Sequence, residues 1–346
     1  MDIYGTIGPA CADFDTLREM FRLGMTGMRL NLSHVELSAC QRWTEMIRKA
    51  AEAAGVSPRL LVDLQGPELR IGVLKAPLRL REGEQLLLSS SRVRNESVVC
   101  VQELLLSVLS PGQQVLLDDG KILLDVTEIC EHGAKCNVRR GGMLASRKSI
   151  ALPGVDLQLP TLTDSDRKNL REARAHGVTG VMLPFVRSPK DLQNLRQELE
   201  KAFEPQLQVF AKIENIDGVN NLESLLPHAD YIVIARGDLG NSMPLWELPG
   251  VQADIARRCQ RADKPFMVVT QMLASMEKSK VPTRAEVSDI FLAVSQGASS
   301  VMVTGETASG SYPTEAIRYL CQTTQHAAKY LETSGFPSAA GTAGKD

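Results

Sequence analysis

The stretch from 208 to 240 decides the fold. It opens Gln208-Val209-Phe210-Ala211-Lys212-Ile213-Glu214-Asn215 and closes Tyr231-Ile232-Val233-Ile234-Ala235-Arg236-Gly237-Asp238-Leu239-Gly240. Each piece is a short apolar run that ends in charged residues, and a helical stretch follows each, Gly218–Leu226 and Leu248–Ala262. Strand followed by helix, repeated, implies a parallel sheet with right-handed crossovers. Working outward, further strand-like runs stand at Ile3–Ile7, Gly27–Leu32, Arg59–Leu64, Gly180–Leu183, Pro265–Thr270 and Ser299–Thr304. Helical stretches stand at Asp15–Leu23, Glu36–Ala54, Asp164–Ala175, Pro189–Ala202, Arg284–Gln296 and Thr314–Tyr330. About eight such units in roughly 250 residues is the arithmetic of a (β/α)8 barrel, with a doubly wound open sheet as the alternative.

From about Gly72 to Ala151 the helical period disappears. Six β-like pieces replace it (Leu78–Leu80, Gln85–Leu88, Val98–Val101, Gln114–Leu117, Ile122–Val126 and Lys135–Val138), with Asp119-Gly120 as a hairpin signal and Gly141-Gly142 as a loop mark. The expected organisation is a barrel over 1–70 and 152–334, an all-β domain inserted after the third strand over 71–151, and a loose tail over 335–346.

The 346 residues carry a formal charge of −2, with 43% hydrophobic and 23% charged residues. That balance suits a folded globular chain and argues against disorder or nucleic-acid binding driven by bulk charge. No apolar run approaches the roughly 18 residues that span a bilayer, and Met1-Asp2-Ile3-Tyr4-Gly5 lacks the regions of a signal peptide, so a cytoplasmic location is expected. The seven cysteines include no Cys-x-x-Cys pair and read as reduced thiols.

In a barrel, functional side chains gather where strands end. Strand two ends with Arg29, Asn31 and Ser33 on one face, a set that suits an anion or hard cation and equally a wet polar edge. Asp63 ends strand three before a Gly66-Pro67 turn, and taken alone it reads as a capped loop. Lys212 and Glu214 share a face at the end of strand five. A charged pair there is expensive without partners or a bound ion. Asp238 follows strand six as a second carboxylate for a divalent cation such as Mg²⁺, and Gly237 and Gly240 let backbone approach a ligand. An ion pair between Lys212 and either acid, structural only, is the competing explanation. Thr270 and Thr304 end strands seven and eight.

These motifs resemble the pyruvate kinases from about Ile3 to Tyr330. The resemblance rests on Thr6-Ile7-Gly8-Pro9, on 29–34 (Arg-Leu-Asn-Leu-Ser-His) and 63–70 (Asp-Leu-Gln-Gly-Pro-Glu-Leu-Arg), and on Leu152-Pro153-Gly154-Val155 and Lys212-Ile213-Glu214-Asn215. It continues through 235–240 (Ala-Arg-Gly-Asp-Leu-Gly), Thr270-Gln271-Met272-Leu273, 282–286 (Pro-Thr-Arg-Ala-Glu) and Gly305-Glu306-Thr307-Ala308. The insertion matches the family's lid, with Asp118-Asp119-Gly120 as a lid motif. The resemblance implies phosphoryl transfer from phosphoenolpyruvate to ADP. It implies that Lys212 and Arg29 hold the phosphoryl, and that Glu214 and Asp238 ligate Mg²⁺ or Mn²⁺. Gly237, Asp238 and Thr270 would anchor the substrate carboxylate. Asn31, Ser33, Asp63 and the Leu64 carbonyl would ligate K⁺, with Glu68 at the acidic position of potassium-dependent members. Asn31, His34, Arg70 and Lys148 would contact nucleotide phosphates, and Thr304 and Glu306 would serve protonation of the enolate.

The chain departs from the family pattern at Gln65 (usually Lys), Val35 (Gly), Ala151 (Asn) and Pro184 (Ser), which bears on ADP affinity and turnover. It also ends after the eighth helix, where typical members continue into an effector-binding domain. The expectation is therefore activity without sugar-phosphate control, in a homo-oligomer, with a dimer through the region around Pro282–Glu286. The competing functions are a weakened paralogue that binds phosphoenolpyruvate or a full-length partner, and a metal-dependent 2-oxo-acid aldolase or lyase.

Overall fold

The computed structural model describes residues 1–33, 35–67, 69–90, 98–118, 120–155 and 159–334. His34, Glu68, Asp119 and the expected tail at 335–346 lie outside the described residues. Eight parallel strands, Asp2–Thr6, Gly27–Asn31, Arg59–Asp63, Gly180–Leu183, Gln208–Ile213, Tyr231–Ala235, Phe266–Val269 and Ser300–Met302, form a closed barrel. They are called barrel strands 1 to 8. Strand 8 returns to strand 1 in the register Asp2↔Ser300, Ile3↔Val301, Tyr4↔Met302, so the sheet is a ring and the doubly wound alternative is excluded.

The ring follows from a period of two. Tyr4, Leu61, Met182, Phe210, Val233, Met267 and Met302 point inward and form an inner core. Their neighbours Ile3, Leu60, Val181, Val209, Ile232, Val268 and Val301 point outward into the larger core shared with the helices. Inner space is tight. A Cβ at Gly27 would stand 2.3 Å from the Tyr4 ring, and one at Gly180 would stand 2.8 Å from both Leu61 and Phe210. Phe210 and Tyr231 stack at 4.4 Å between ring centroids.

The outer helices start where capping chemistry says they should. Asp13 accepts the Thr16 amide at 2.9 Å, and Thr163/Asp166 and Thr283/Glu286 form capping boxes for helices Asp164–Glu172 and Arg284–Ser295. The helix expected over Gly218–Leu226 is instead two short pieces, Ile216–Asn220 and Leu222–Leu225, followed by a 3₁₀ turn at Leu226–His228. Asn215 starts it early by capping Gly218, and Pro227, which has no amide hydrogen, prevents its continuation. Two short helices that carried no sequence signal, Arg236–Asn241 and Gly305–Ala308, follow strands 6 and 8.

The chain divides into two compact units, Met1–Gly66 with Thr161–Asp346, and Pro67–Pro160. The second unit is wider at both ends than the expected 71–151. It contains a six-stranded sheet in the order Ile150–Ala151, Gln114–Leu117, Ile122–Cys130, Gly133–Arg140, Gln85–Ser89, Val98–Cys100 and a two-stranded sheet of Leu78–Leu80 with Gly142–Leu144. Its own core includes Leu86, Leu88, Val115, Leu124, Val126 and Val138. The unit is not purely β: Glu103–Leu106 forms one helical turn, too short to produce a readable period. Among the described residues no helix is long and apolar enough to cross a membrane.

Candidate active site at the barrel rim

The inward column of each strand continues upward past the apolar core. Leu61 is followed by Asp63, and Phe210 by Lys212 and then Glu214. At that level four charges meet. Asp63 Oδ2 accepts Arg29 Nε at 2.9 Å and Nη2 at 2.6 Å, and Lys212 Nζ at 3.2 Å. Lys212 Nζ also lies 2.9 Å from Glu214 Oε1. Glu214 Oε2 accepts the Phe185 amide at 2.8 Å, and Arg29 Nη1 reaches the Thr6 hydroxyl at 3.3 Å. Both carboxylate side chains are 3% exposed, so the cluster persists only because its charges balance.

Burial pushes the Asp63 carboxyl up, but Lys212 and Arg29 outweigh it and hold it below the usual carboxylate range. Burial pushes Lys212 down, and Asp63 and Glu214 outweigh that, so its ammonium is held above the usual lysine range. Asp63 Oδ1, although 3.2 Å from Lys212 Nζ, is buried with no aligned hydrogen bond. Asp63 is thus the hub of the cluster, not the loop cap that its sequence context suggests. The signal was its parity with Leu61. Lys212 pairs with two acids, Asp63 and Glu214.

Asn31 lies opposite Asp63 in the register of strands 2 and 3, and its Oδ1 accepts the Ser33 amide at 3.1 Å. The Leu64 side chain is 1% exposed in the outer core, which leaves only backbone oxygen from that residue for any rim role. Asp238 sits half-buried in the first turn of Arg236–Asn241. Gly237 and Thr270 meet: a Cβ at Gly237 would lie 3.1 Å from Thr270 Cγ2.

Thr270 and Gln271 both take positive φ, 75° and 58°. For a β-branched residue the left-handed region is unfavourable. Arg236, within the Ala235–Gly240 motif, holds the turn. Its Nη2 and Nε donate to the Thr270 carbonyl at 2.7 and 3.2 Å, and Nη1 pairs with Asp289 at 2.7 Å. Glu306 is 1% exposed. Its Oε1 accepts the Leu273 amide at 3.1 Å and its Oε2 accepts the Thr304 amide at 2.7 Å, so it ties the ends of strands 7 and 8 together.

In the inserted unit, Lys148 pairs with Asp118 at 2.7 Å, and Arg70 Nη1 donates to the Arg147 carbonyl at 2.8 Å. Burial pushes the Asp118 carboxyl up, but Lys148 and Lys121 bring it below the usual range. Among the described residues no group of three or more His, Cys, Asp or Glu side chains stands ready to hold a metal unaided.

The family model described as "Pyruvate kinase, barrel domain" matches residues 1–317. The pyruvate kinase of Geobacillus stearothermophilus is 36% identical over 332 residues, which cover 94% of this chain and 57% of that protein. That of Methylorubrum extorquens is 38% identical, covering 91% of this chain and 66% of the relative. That of Thermococcus litoralis is 36% identical, covering 96% and 71%. The chain therefore spans between about half and about seven-tenths of the length of the relatives it matches. A closed eight-stranded barrel, a barrel-domain match over 1–317 and identity above one third to full-length relatives lead to one conclusion: the chain belongs to the pyruvate kinase family.

Proposed function

We propose that this chain transfers the phosphoryl group of phosphoenolpyruvate to ADP, giving pyruvate and ATP. The observation that carries the reading is the buried cluster Arg29–Asp63–Lys212–Glu214 at the end of a pyruvate-kinase-family barrel. Phosphoryl transfer spreads negative charge over the peripheral oxygens, so catalysis is mainly positioning and electrostatics. Lys212 and Arg29 are the cations that meet that charge, and the two carboxylates keep Lys212 charged and in place without reorganisation. The Thr270 hydroxyl and the backbone at Gly237 and Asp238 hold the substrate carboxylate. The phosphorus–oxygen bond of the enol ester breaks as an ADP β-phosphate oxygen bonds to phosphorus. The enolate then takes a proton at its methylene carbon. Thr304 serves that step, with Glu306 acting through it as a positioning residue. Asn31, His34, Arg70 and Lys148 are assigned to the nucleotide phosphates.

Glu214 and Asp238 would hold Mg²⁺ or Mn²⁺, which when bound neutralises charge on the substrate's oxygens. Hard carboxylate donors fit such an ion, and two of them leave positions for substrate oxygens and water. Asn31, Ser33, Asp63 and the Leu64 carbonyl would hold K⁺. The orphaned, buried Asp63 Oδ1 supports that fit. A cytoplasmic dimer through the segment around Pro282–Glu286 belongs to the same reading.

A coupled assay of pyruvate formation with phosphoenolpyruvate, ADP, Mg²⁺ and K⁺ tests it. ADP-dependent pyruvate release is expected. Binding of phosphoenolpyruvate without turnover would replace the reading with a weakened paralogue, and pyruvate released from a longer 2-oxo acid would replace it with a lyase.

A further inference from the structure

We propose that Pro184, which follows barrel strand 4, is a positioning residue that aims the Glu214 carboxylate. The inference rests on the reading of Glu214 as a cation ligand and goes beyond it. Glu214 takes Lys212 on one oxygen and the Phe185 amide on the other, so the plane of its carboxylate is set by two donors. One of those donors lies on a backbone that does not hold its conformation unaided. Phe185 has φ 53°, a left-handed conformation that a bulky residue adopts only when its surroundings impose it.

Those surroundings are visible on both sides. On the C-terminal side, the Val186 amide donates to the Lys212 carbonyl at 3.4 Å, and Asn215 Nδ2 donates to the Val186 carbonyl at 3.4 Å, so the chain leaving Phe185 is tied to the end of strand 5. On the N-terminal side stands Pro184, buried, with φ restricted by its ring near −65°. Its seat is Gly66. A Cβ on Gly66 would fall 2.5 Å from Pro184 Cγ, and Gly66 has φ 61°, so a glycine there leaves room for the ring. Gly66 is anchored in turn. Its amide and that of Gln65 donate at 3.1 and 2.9 Å to the two oxygens of Asp166, which is fully buried. The sequence Asp166, Gly66, Pro184, Phe185 amide, Glu214 is therefore a continuous run of contacts that ends on the site. A side chain without the ring at 184 frees φ at that position, and the Phe185 amide then samples directions that miss Glu214.

Groups that orient a metal-ligating carboxylate affect metal affinity by an order of magnitude or more. Electron paramagnetic resonance of free Mn²⁺, titrated with the full chain in the absence of substrate, reads the consequence directly. The parent is expected to bind Mn²⁺, Glu214→Gln to lose that binding, and Pro184→Ala to weaken it about tenfold at an unchanged circular dichroism spectrum. Parental Mn²⁺ affinity in Pro184→Ala, with binding lost in Glu214→Gln, overturns the inference and leaves the proposed function standing. Parental affinity in Glu214→Gln overturns the reading of Glu214 itself. Should Pro184→Ala not fold, Pro184→Ser takes its place: it also removes the ring and keeps the Phe185 amide. The inference then requires the same loss of about tenfold, and parental Mn²⁺ affinity overturns it.

Discussion

Lys212 balances two buried acids, so replacing it removes a structural cation and, on the proposed function, the cation that meets the phosphoryl charge. Lys212→Met is expected to lower the rate of pyruvate formation by at least about a thousandfold, the scale reached when a preorganised group facing transition-state charge is removed. It is also expected to destabilise the barrel by about 3–5 kcal/mol, because Asp63 keeps only Arg29 and Glu214 keeps only an amide donor. The pH dependence separates the two effects. The Asp63 carboxyl is held low in the folded chain, so its contribution is present above the ordinary aspartate value of about 4 and is lost as pH falls through the lower folded value. Lys212 is held high, so its contribution is present below the ordinary lysine value of about 10.4 and is lost as pH rises through the folded value. Thermal midpoints of parent and variant should therefore differ by a constant amount from about pH 5 to pH 9, and the gap should close beyond either end. A gap that changes through neutrality would show that other groups control it. At this scale the sequence was partly legible. Period-two spacing put Lys212 and Glu214 on one face and Asp63 on the face of Leu61, but the meeting of these side chains across the intervening strand depends on the curl of the sheet, which no local pattern reports. The role of Arg236 has no local signal for the same reason, since its partners Thr270 and Asp289 lie on different elements.

At the scale of elements, the helix Arg284–Ser295 shows which ends can be read from sequence. The motif Thr283-Arg284-Ala285-Glu286 is a capping box, and the helix starts there. The structure adds a second use of the same carboxylate. Glu286 accepts the Thr283 amide at 2.7 Å and also the Ser275 amide at 2.7 Å and hydroxyl at 2.6 Å, so one side chain caps the helix and fixes the 3₁₀ turn Ala274–Glu277 after strand 7. Burial pushes this carboxyl up, but the Ser275 and Thr283 hydrogen bonds outweigh it and hold it below the usual range. Its contribution is therefore present above the ordinary glutamate value and is lost as pH falls through the folded one. Glu286→Ala should cost about 2 kcal/mol at pH 7, read from urea unfolding, and Glu286→Gln should recover part of it. Equal losses in both would mean that charge, not hydrogen bonding, carries the contact. Elements of four to six residues, such as Arg236–Asn241 and Gly305–Ala308, stayed invisible because one turn of helix shows no period.

For the whole molecule, the count of strand–helix units gave the barrel, and the loss of helical period gave the insertion. The junctions were harder to find because composition changes gradually there, while the compact unit ends at prolines on both sides, Pro67 and Pro160. Proline restricts the residue before it and cannot extend a helix or a central strand, so it suits such a boundary. The unit between them has a six-stranded sheet and a buried apolar cluster of its own, with Leu88, Val99, Val115, Leu117, Leu124 and Cys136 at 0% exposure. A unit of that length with its own sheet and apolar cluster lies in the size range of domains that fold alone. A polypeptide of residues 67–160 is therefore expected to fold alone, with a β-type circular dichroism spectrum and a single cooperative urea transition. Replacing Leu124, fully buried in the long strand Ile122–Cys130, with alanine should cost that fragment about 2–5 kcal/mol and abolish the transition if its total stability is smaller. A gradual, featureless urea curve for the unmodified fragment would mean that its order depends on the barrel that carries it.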